Sequence, residues 1–94
     1  MALAGNDGKA MLSGVKVLDL TTVVFGPYAT HILQDLGAEV LKIEAPETGD
    51  ISRWLGPPAK TPGMSPTFFA INGGKRSAVL GLKQPDDLAA MHRL

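Results

Sequence analysis

Apolar residues gather in three short runs, at residues 15–20, 40–43 and 77–82, with polar or glycine-rich segments between them. Each run is rich in Val, Ile and Leu and has the length of a strand. Strands that are apolar on nearly every position are typical of parallel sheets covered on both faces. The pattern therefore predicts three strands of one parallel sheet.

The segment between the first two strands has helical spacing. Pro27 suits the first position of a helix, where no N–H partner is needed, and Gly37 suits the residue just after the end. The apolar positions of one helix face are Tyr28, Ala29, Ile32, Leu33 and Leu36. Strand, helix and strand in about 30 residues form a right-handed βαβ unit. The predicted fold class is α/β, with a Rossmann-like parallel sheet.

Residues 45–65 are dense in proline and glycine and are predicted to be a long loop with one turn, capped by Asp50. Ser65 and Pro66 are predicted to start a second helix that residues 72–74 end. Pro85 is predicted to open a last helix with two acidic residues in its first turn. That helix has no C-cap signal, so the sequence predicts a truncated domain: residues 1–12 form a flexible lead, with Gly5 to Gly8 at its centre, and residues 13–94 a partial Rossmann-like domain.

Composition excludes several classes of function. The formal net charge is zero and there is no cysteine, so we expect no nucleic-acid partner, no disulfide and no Cys-based metal site. His31 and His92 lack a second ligand at metal-binding spacing, so no metal is expected. There is no apolar run of about 20 residues and no secretory signal. We expect a cytoplasmic protein without a membrane partner.

The loop at residues 21–27 is the first candidate site. Ligands of open α/β sheets bind beyond the carboxyl ends of the strands, and this loop also leads into a helix N-terminus. A plain connector remains the alternative. Glu44 ends the second strand, where dinucleotide-binding folds place an acidic residue, but the glycine fingerprint is absent. NAD or FAD binding is therefore a minor alternative, and a solvated strand end is favoured for Glu44.

Three basic residues are weaker candidates. Residues 73–77 resemble a phosphate loop, but Phe69 and Arg76 stand where a Walker A motif needs glycine and Ser or Thr. For Lys75 and Arg76 a solvated turn is therefore favoured, and contact with a phosphate is the alternative. Arg53 either pairs with Asp50 three positions earlier or binds an anion, and both possibilities stay open.

Several motifs occur in an order that resembles the opening of class III CoA-transferases of the CaiB/BaiF type. They are Leu-Asp-Leu-Thr at 18–21, Gly-Pro-Tyr-Ala-Thr at 26–30, Asp-Leu-Gly-Ala-Glu-Val-Leu-Lys-Ile-Glu at 35–44, Gly-Asp at 49–50 with Arg53, and Asn72 with Lys-Arg-Ser at 75–77. Leu82-Lys83 continues the register. The resemblance covers about residue 13 to the end of the chain.

The resemblance implies an enzyme that moves CoA between carboxylic acids, with acyl-CoA and a carboxylic acid as its partners. An aspartate attacks the thioester and forms an aspartyl-CoA thioester. The longer form is expected to be a homodimer of interlaced chains. The positions that match CoA contacts in the family are Val24, Phe25, Ala45, Leu80, Gly81, Leu82 and Lys83.

The chain departs from the family at informative positions. Formyl-CoA transferases have glutamine where this chain has Val24, and some relatives have arginine in place of Ala45. The family motif Leu-Asp-Leu-Lys is Leu-Gly-Leu-Lys in this chain, so that Gly81 replaces the aspartate. No aspartate matches the catalytic one, so the resemblance implies that this residue lies beyond Leu94 and that the chain alone is inactive. An α-methylacyl-CoA racemase fragment, a non-catalytic CoA or nucleotide-binding module and a non-functional remnant stay open.

Overall fold

The computed structural model describes residues 9–94, which form a three-stranded parallel sheet and three helices. The strands lie in the order β1 (Lys16–Asp19), β2 (Glu39–Glu44) and β3 (Arg76–Val79). Val17 of β1 lies opposite Val40 of β2, and Ile43 of β2 lies opposite Ala78 of β3. The predicted α/β class and parallel sheet are confirmed.

One of the three helices in residues 9–94 packs directly on this sheet. They are α1 (Phe25–Asp35), α2 (Pro66–Asn72) and α3 (Pro85–His92), with a 3₁₀ turn at Ile51–Trp54. α1 packs against β1, β2 and α2, and α2 packs against the 3₁₀ turn, whereas α3 packs against no other helix or strand of residues 9–94. None of the helices in this described part is long and apolar enough to cross a bilayer.

Most of the predicted helix ends are confirmed. Gly37 follows α1 with φ of 108°, a conformation that favours glycine. The Asp50 side chain accepts the Ser52 N–H at the start of the 3₁₀ turn. The Ser65 side chain accepts the Phe68 N–H at the start of α2, in which Pro66 is the first residue.

Two boundaries were predicted wrongly. α1 begins at Phe25 rather than Pro27, because the Tyr28 N–H already bonds to the Val24 carbonyl at 2.8 Å. Pro27 is tolerated within the first turn of α1, since the first four N–H groups of a helix have no partner within it. The third strand ends at Val79 instead of residue 82, because the chain turns at Gly81, whose carbonyl accepts the Gln84 N–H at 2.7 Å.

The predicted apolar face of α1 is also wrong. Its buried residues are Pro27 and Thr30, whereas Tyr28 and Ile32 are exposed. The physical reason is that α1 covers a polar surface: the Thr30 hydroxyl donates to the Asp19 carboxylate at 2.6 Å.

The two faces of the sheet differ in an unexpected way. Alternation along the strands puts Asp19, Lys42 and Glu44 on the face toward α1, and all three side chains are buried. The opposite face has charged residues at the amino ends of the strands and apolar residues beyond them, and its residue Leu18 is exposed. Coverage of both faces, as predicted from the apolar strands, is therefore wrong for residues 9–94, because α3 does not pack on the open face.

The first residues of the predicted lead can be compared only in part. Gly5 to Gly8 lie outside the described residues. Leu12, however, donates its N–H to the Leu36 carbonyl at 2.8 Å, and Ala10 lies against the end of α1 at Gly37. Residues 10–12 are therefore attached to the C-terminal end of α1, while the division at residue 12 stays a prediction.

Candidate nucleotide-binding groove

A groove of about 540 Å³ lies at the carboxyl edge of the sheet, where the chain leaves all three strands. Its lining residues are Leu20, Thr22, Ile43, Glu44, Ala45, Pro46, Leu80, Gly81, Leu82, Lys83 and Gln84. This edge is where open parallel sheets bind ligands. Most of the lining is aliphatic, which suits a flat ring or an acyl chain.

The β3–α3 turn shapes one wall of the groove. The Leu80 N–H donates to the Glu44 carbonyl at 3.0 Å, which keeps this residue beside the end of β2. The Gly81 N–H donates to the Asp87 carboxylate of α3 at 2.8 Å. A Cβ at Gly81 would lie 3.2 Å from Pro46 and 3.4 Å from the Asp87 carboxylate. Gly81 therefore fits a turn in which Asp87 is the acidic partner.

The groove gathers five of the seven residues expected to contact CoA. Ala45 and Leu80 to Lys83 line it, whereas Val24 and Phe25 do not. Val24 is 43% exposed and Phe25 is 91% exposed at the start of α1. CoA contact by each of the seven stays a prediction.

Leu20 and Thr22 supply the wall from the β1 side. Thr22 belongs to the loop at residues 21–27 that was the first candidate site, whereas the sequence interpretation missed Leu20. The available signal was position: Leu20 directly follows β1, as Ala45 follows β2 and Leu80 follows β3. Residues just beyond parallel strands share one edge of the sheet.

The charge of the groove comes from Lys83, because its acidic residue is already neutralised. The Glu44 carboxylate accepts hydrogen bonds from Arg53 Nε and Nη2, each at 2.7 Å. It also accepts hydrogen bonds from the Asp50 N–H at 2.9 Å and from the Ser77 hydroxyl. The hydrogen bonds from Arg53, against the opposing effect of burial, lower the pKa of Glu44 to about 2. The interpretation of Glu44 as a solvated strand end is wrong, since its side chain is 3% exposed.

Arg53 pairs with Glu44 and forms no ion pair with Asp50 among the described contacts. Its guanidinium group also lies 3.9 Å from the centre of the Phe68 ring and donates to the Gly63 carbonyl at 3.2 Å. The hydrogen bonds to Glu44 raise the pKa of Arg53. A bidentate ion pair and stacking on an aromatic ring hold an arginine side chain in place. The anion that Arg53 binds is therefore the Glu44 carboxylate of this chain.

The side chain of Lys75 is buried, and the interpretation of this residue as part of a solvated turn is wrong. Its Nζ lies 3.0 Å from the Asp19 carboxylate, 2.7 Å from the Thr30 hydroxyl and 2.8 Å from Asn72 Oδ1. Burial raises the pKa of Asp19, but hydrogen bonds from Thr21, Thr30 and Lys75 outweigh it and lower that pKa to about 2. Arg76, by contrast, is exposed.

A third pair lies beneath the β1–α1 loop. Lys42 Nζ is 2.8 Å from the Asp50 carboxylate, and neither side chain is more than 1% exposed. Burial opposes ionisation of Asp50, but hydrogen bonds from Lys42 and Ser52 prevail and lower its pKa. Above this pair Val23 has φ of 70°, which is rare for a β-branched residue.

Comparison with known proteins decides the family. The model of "CoA-transferase family III" matches residues 12–94. The chain belongs to this family. The resemblance to class III CoA-transferases is thus confirmed over nearly the whole chain.

Curated members of CoA-transferase family III include close relatives. Succinate–glutarate CoA-transferase of Agrobacterium fabrum is 44% identical over an alignment of 91 residues that covers 92% of this chain and 23% of the relative. Human succinyl-CoA:glutarate CoA-transferase is 44% identical over 84 residues, 88% of this chain and 19% of the relative. The chain thus spans about a fifth of the length of the curated relatives it matches.

Solved structures agree with this assignment. A CAIB/BAIF family protein from Brucella suis superposes with a TM-score of 0.82 at 36% identity, over 90% of this chain and 23% of that one. A hypothetical protein from Mycobacterium tuberculosis superposes with a TM-score of 0.76 at 40% identity, over 89% and 22%. The sheet and helices described above are therefore arranged as in CoA-transferase family III.

Proposed function

We propose that this chain provides a CoA-binding wall of an acyl-CoA transferase, and that the groove at the carboxyl edge of the sheet receives the nucleotide end of CoA. The observation that carries the proposal is the convergence of Ala45 and Leu80 to Lys83 on one 540 Å³ groove in a chain of CoA-transferase family III. Its aliphatic wall suits adenine, and Lys83 supplies a cation for a phosphate.

The proposed reaction moves CoA from an acyl-CoA to a carboxylic acid. An aspartate carboxylate of the enzyme attacks the thioester carbonyl of the acyl-CoA and the CoA thiolate leaves, which gives a mixed anhydride of the aspartate and the acyl group. The thiolate then attacks the enzyme's carbonyl and releases the first acid, which leaves an aspartyl-CoA thioester. We propose that a dimer of interlaced longer chains carries this out.

We infer that the attacking aspartate is not one of the aspartates of this chain, because the family resemblance matches none of them with the catalytic one and three of them already have partners within the chain. Asp19 and Asp50 are buried in ion pairs with Lys75 and Lys42, and Asp87 accepts the Gly81 N–H. A carboxylate engaged in this way is a poor nucleophile. We therefore expect CoA binding by the 94-residue chain without transferase turnover.

The test is calorimetric titration of CoA into the purified chain, with circular dichroism recorded to verify folding. Lys83→Met is expected to weaken CoA binding about fivefold, because one charge-assisted contact of roughly 1 kcal/mol is lost. Lys60→Met removes another exposed cation, which lies outside the groove, and is the matched control.

A folded chain that does not bind CoA, or equal losses at Lys83 and Lys60, would contradict the groove assignment. Turnover by the chain alone would contradict the inference about the aspartates. CoA binding without turnover is expected both for a non-catalytic binding module and for part of a transferase. Transferase activity of a longer chain that contains these residues would support the second. A racemase would act on an α-methylacyl-CoA without an acceptor acid.

A further inference from the structure

The buried Lys42–Asp50 ion pair lies directly beneath the loop that joins β1 to α1. The two charged groups are 2.8 Å apart, and neither side chain lines the groove. Burying two opposite charges is costly unless each finds further hydrogen-bond partners. Those further partners therefore indicate what the pair does.

The remaining hydrogen bonds of the pair reach the loop backbone. Lys42 Nζ donates to the Thr21 carbonyl at 3.0 Å, and Asp50 Oδ1 accepts the Val23 N–H at 3.1 Å. Thr22, a lining residue of the groove, lies between these two attachment points. The pair thus holds the backbone on both sides of a groove residue.

The held conformation is one that valine avoids. Val23 has φ of 70°, where its Cβ crowds the backbone, and such strain persists only where the surroundings impose it. Asp50 is suited to impose it because its Oδ1 also accepts the Ser52 N–H at 2.9 Å and the Ser52 hydroxyl at 2.8 Å. The carboxylate is therefore also held by contacts outside the loop.

We propose that Lys42 and Asp50 are positioning residues for CoA binding, which hold the β1–α1 loop in the strained form that presents Thr22 to the groove. The inference rests on the proposed function, because it takes CoA as the ligand of that groove. Neither residue touches the ligand. Both act through the backbone of Thr21 and Val23.

The test compares CoA affinity, by calorimetry, across variants of the whole 94-residue chain. Asp50→Asn places an amide NH2 group against the Lys42 ammonium, so the ion pair is lost and the oxygen that accepts the Val23 N–H is no longer fixed. Val23 can then relax, and CoA binding is expected to weaken about tenfold or more, because strain of this kind corresponds to roughly one to two powers of ten. Adding Val23→Gly is expected to restore most of the affinity, since glycine adopts this φ without strain. A purely structural role of Asp50 does not predict this rescue.

Glu47→Gly is the matched control for the rescue. Glu47 is the other non-glycine residue with positive φ in residues 9–94, at 73°, and it lies outside the groove. In the Asp50→Asn background it relieves comparable strain and is expected to leave CoA affinity low. Each glycine substitution is also measured alone, so that its own effect is subtracted. Unchanged affinity in Asp50→Asn, or equal rescue by both glycines, would overturn the proposal.

Two further measurements cover the remaining outcomes. If circular dichroism shows Asp50→Asn unfolded, Val23→Pro takes its place: it leaves the buried pair intact but removes the N–H and fixes φ near −65°. A folded Val23→Pro chain is expected to lose about tenfold in affinity, and wild-type affinity would overturn the proposal.

A wild-type chain that binds no CoA would contradict the proposed function instead. The positioning by Asp50 is then judged by hydrogen exchange of the Val23 amide, measured by NMR in Asp50→Asn, or in Asp50→Glu where the first variant is unfolded. Slow exchange in the wild type and fast exchange in the variant would support it. Equal exchange rates would overturn it.

Discussion

Replacing Glu44 with glutamine removes the charge at the end of β2 and keeps the shape of the side chain. The carboxylate accepts three hydrogen bonds of 2.7–2.9 Å from Arg53 and the Asp50 N–H, besides the Ser77 hydroxyl. A glutamine amide nitrogen donates where these partners also donate. The substitution therefore leaves a donor facing a donor and removes the counter-charge of Arg53.

The size of the loss follows from the carboxyl's pKa, which falls from 4.5 to about 2 in the folded chain. Because the folded pKa is the lower one, the stabilisation is present in full above pH 4.5 and is lost as the pH falls toward 2. The difference corresponds to about 3 kcal/mol at pH 7 and about half of that at pH 3. Domains of this size have on the order of 5–15 kcal/mol in total.

The assay is urea unfolding at pH 7 and pH 3, followed by circular dichroism. Glu39→Gln makes the same substitution at an exposed position of the same strand, and we expect it to change the free energy of unfolding by less than about 0.5 kcal/mol. The reasoning is refuted if the Glu44 variant loses no more stability than the Glu39 variant, or if its loss does not shrink from pH 7 to pH 3.

Two further predictions concern the buried Lys75–Asp19 ion pair and Gly37, which follows α1. Lys75→Met leaves the Asp19 carboxylate buried without its cation, and we expect it to lower the free energy of unfolding in urea by about 3–5 kcal/mol. Arg76→Met, at the next and exposed position, is expected to change that free energy by less than about 0.5 kcal/mol. Similar losses in the two variants would contradict the ion pair. Gly37→Ala, at φ of 108°, brings a methyl group 2.4 Å from the Ala10 Cβ and is expected to cost about 2–3 kcal/mol in thermal unfolding. Gly14→Ala, at φ of 87° with no atom within 4 Å, is expected to cost only about 1 kcal/mol, so equal losses would contradict the Ala10 contact.

Local signals in the sequence predicted the order and type of every element. Gly37, Asp50 and Ser65 mark helix ends by chemistry that acts within a few residues. The face of α1 was not predictable in this way, because apolar periodicity assumes an apolar surface beneath the helix. Here that surface carries Asp19 and Lys42, so Thr30 is buried and Ile32 is exposed.

The candidate site was predictable from strand ends and from the family resemblance, but not its charges. Glu44 and Lys75 each have a partner far along the chain: Arg53 lies 9 positions from Glu44, and Asp19 lies 56 positions from Lys75. No periodicity within one element indicates such a pairing. Charged residues beside apolar runs therefore looked solvated, although the fold buries them.

The polar interior has a consequence for how the chain folds. Burying a charged side chain costs free energy until its counter-ion is in place. Lys75 can pair with Asp19 only after β3 has docked beside β2. Partly assembled sheets therefore gain little, and a strand shifted by one residue would turn Lys42 to the wrong face. We expect the ion pairs to make folding slow and all-or-none, with correct strand register as the condition for any stability at all.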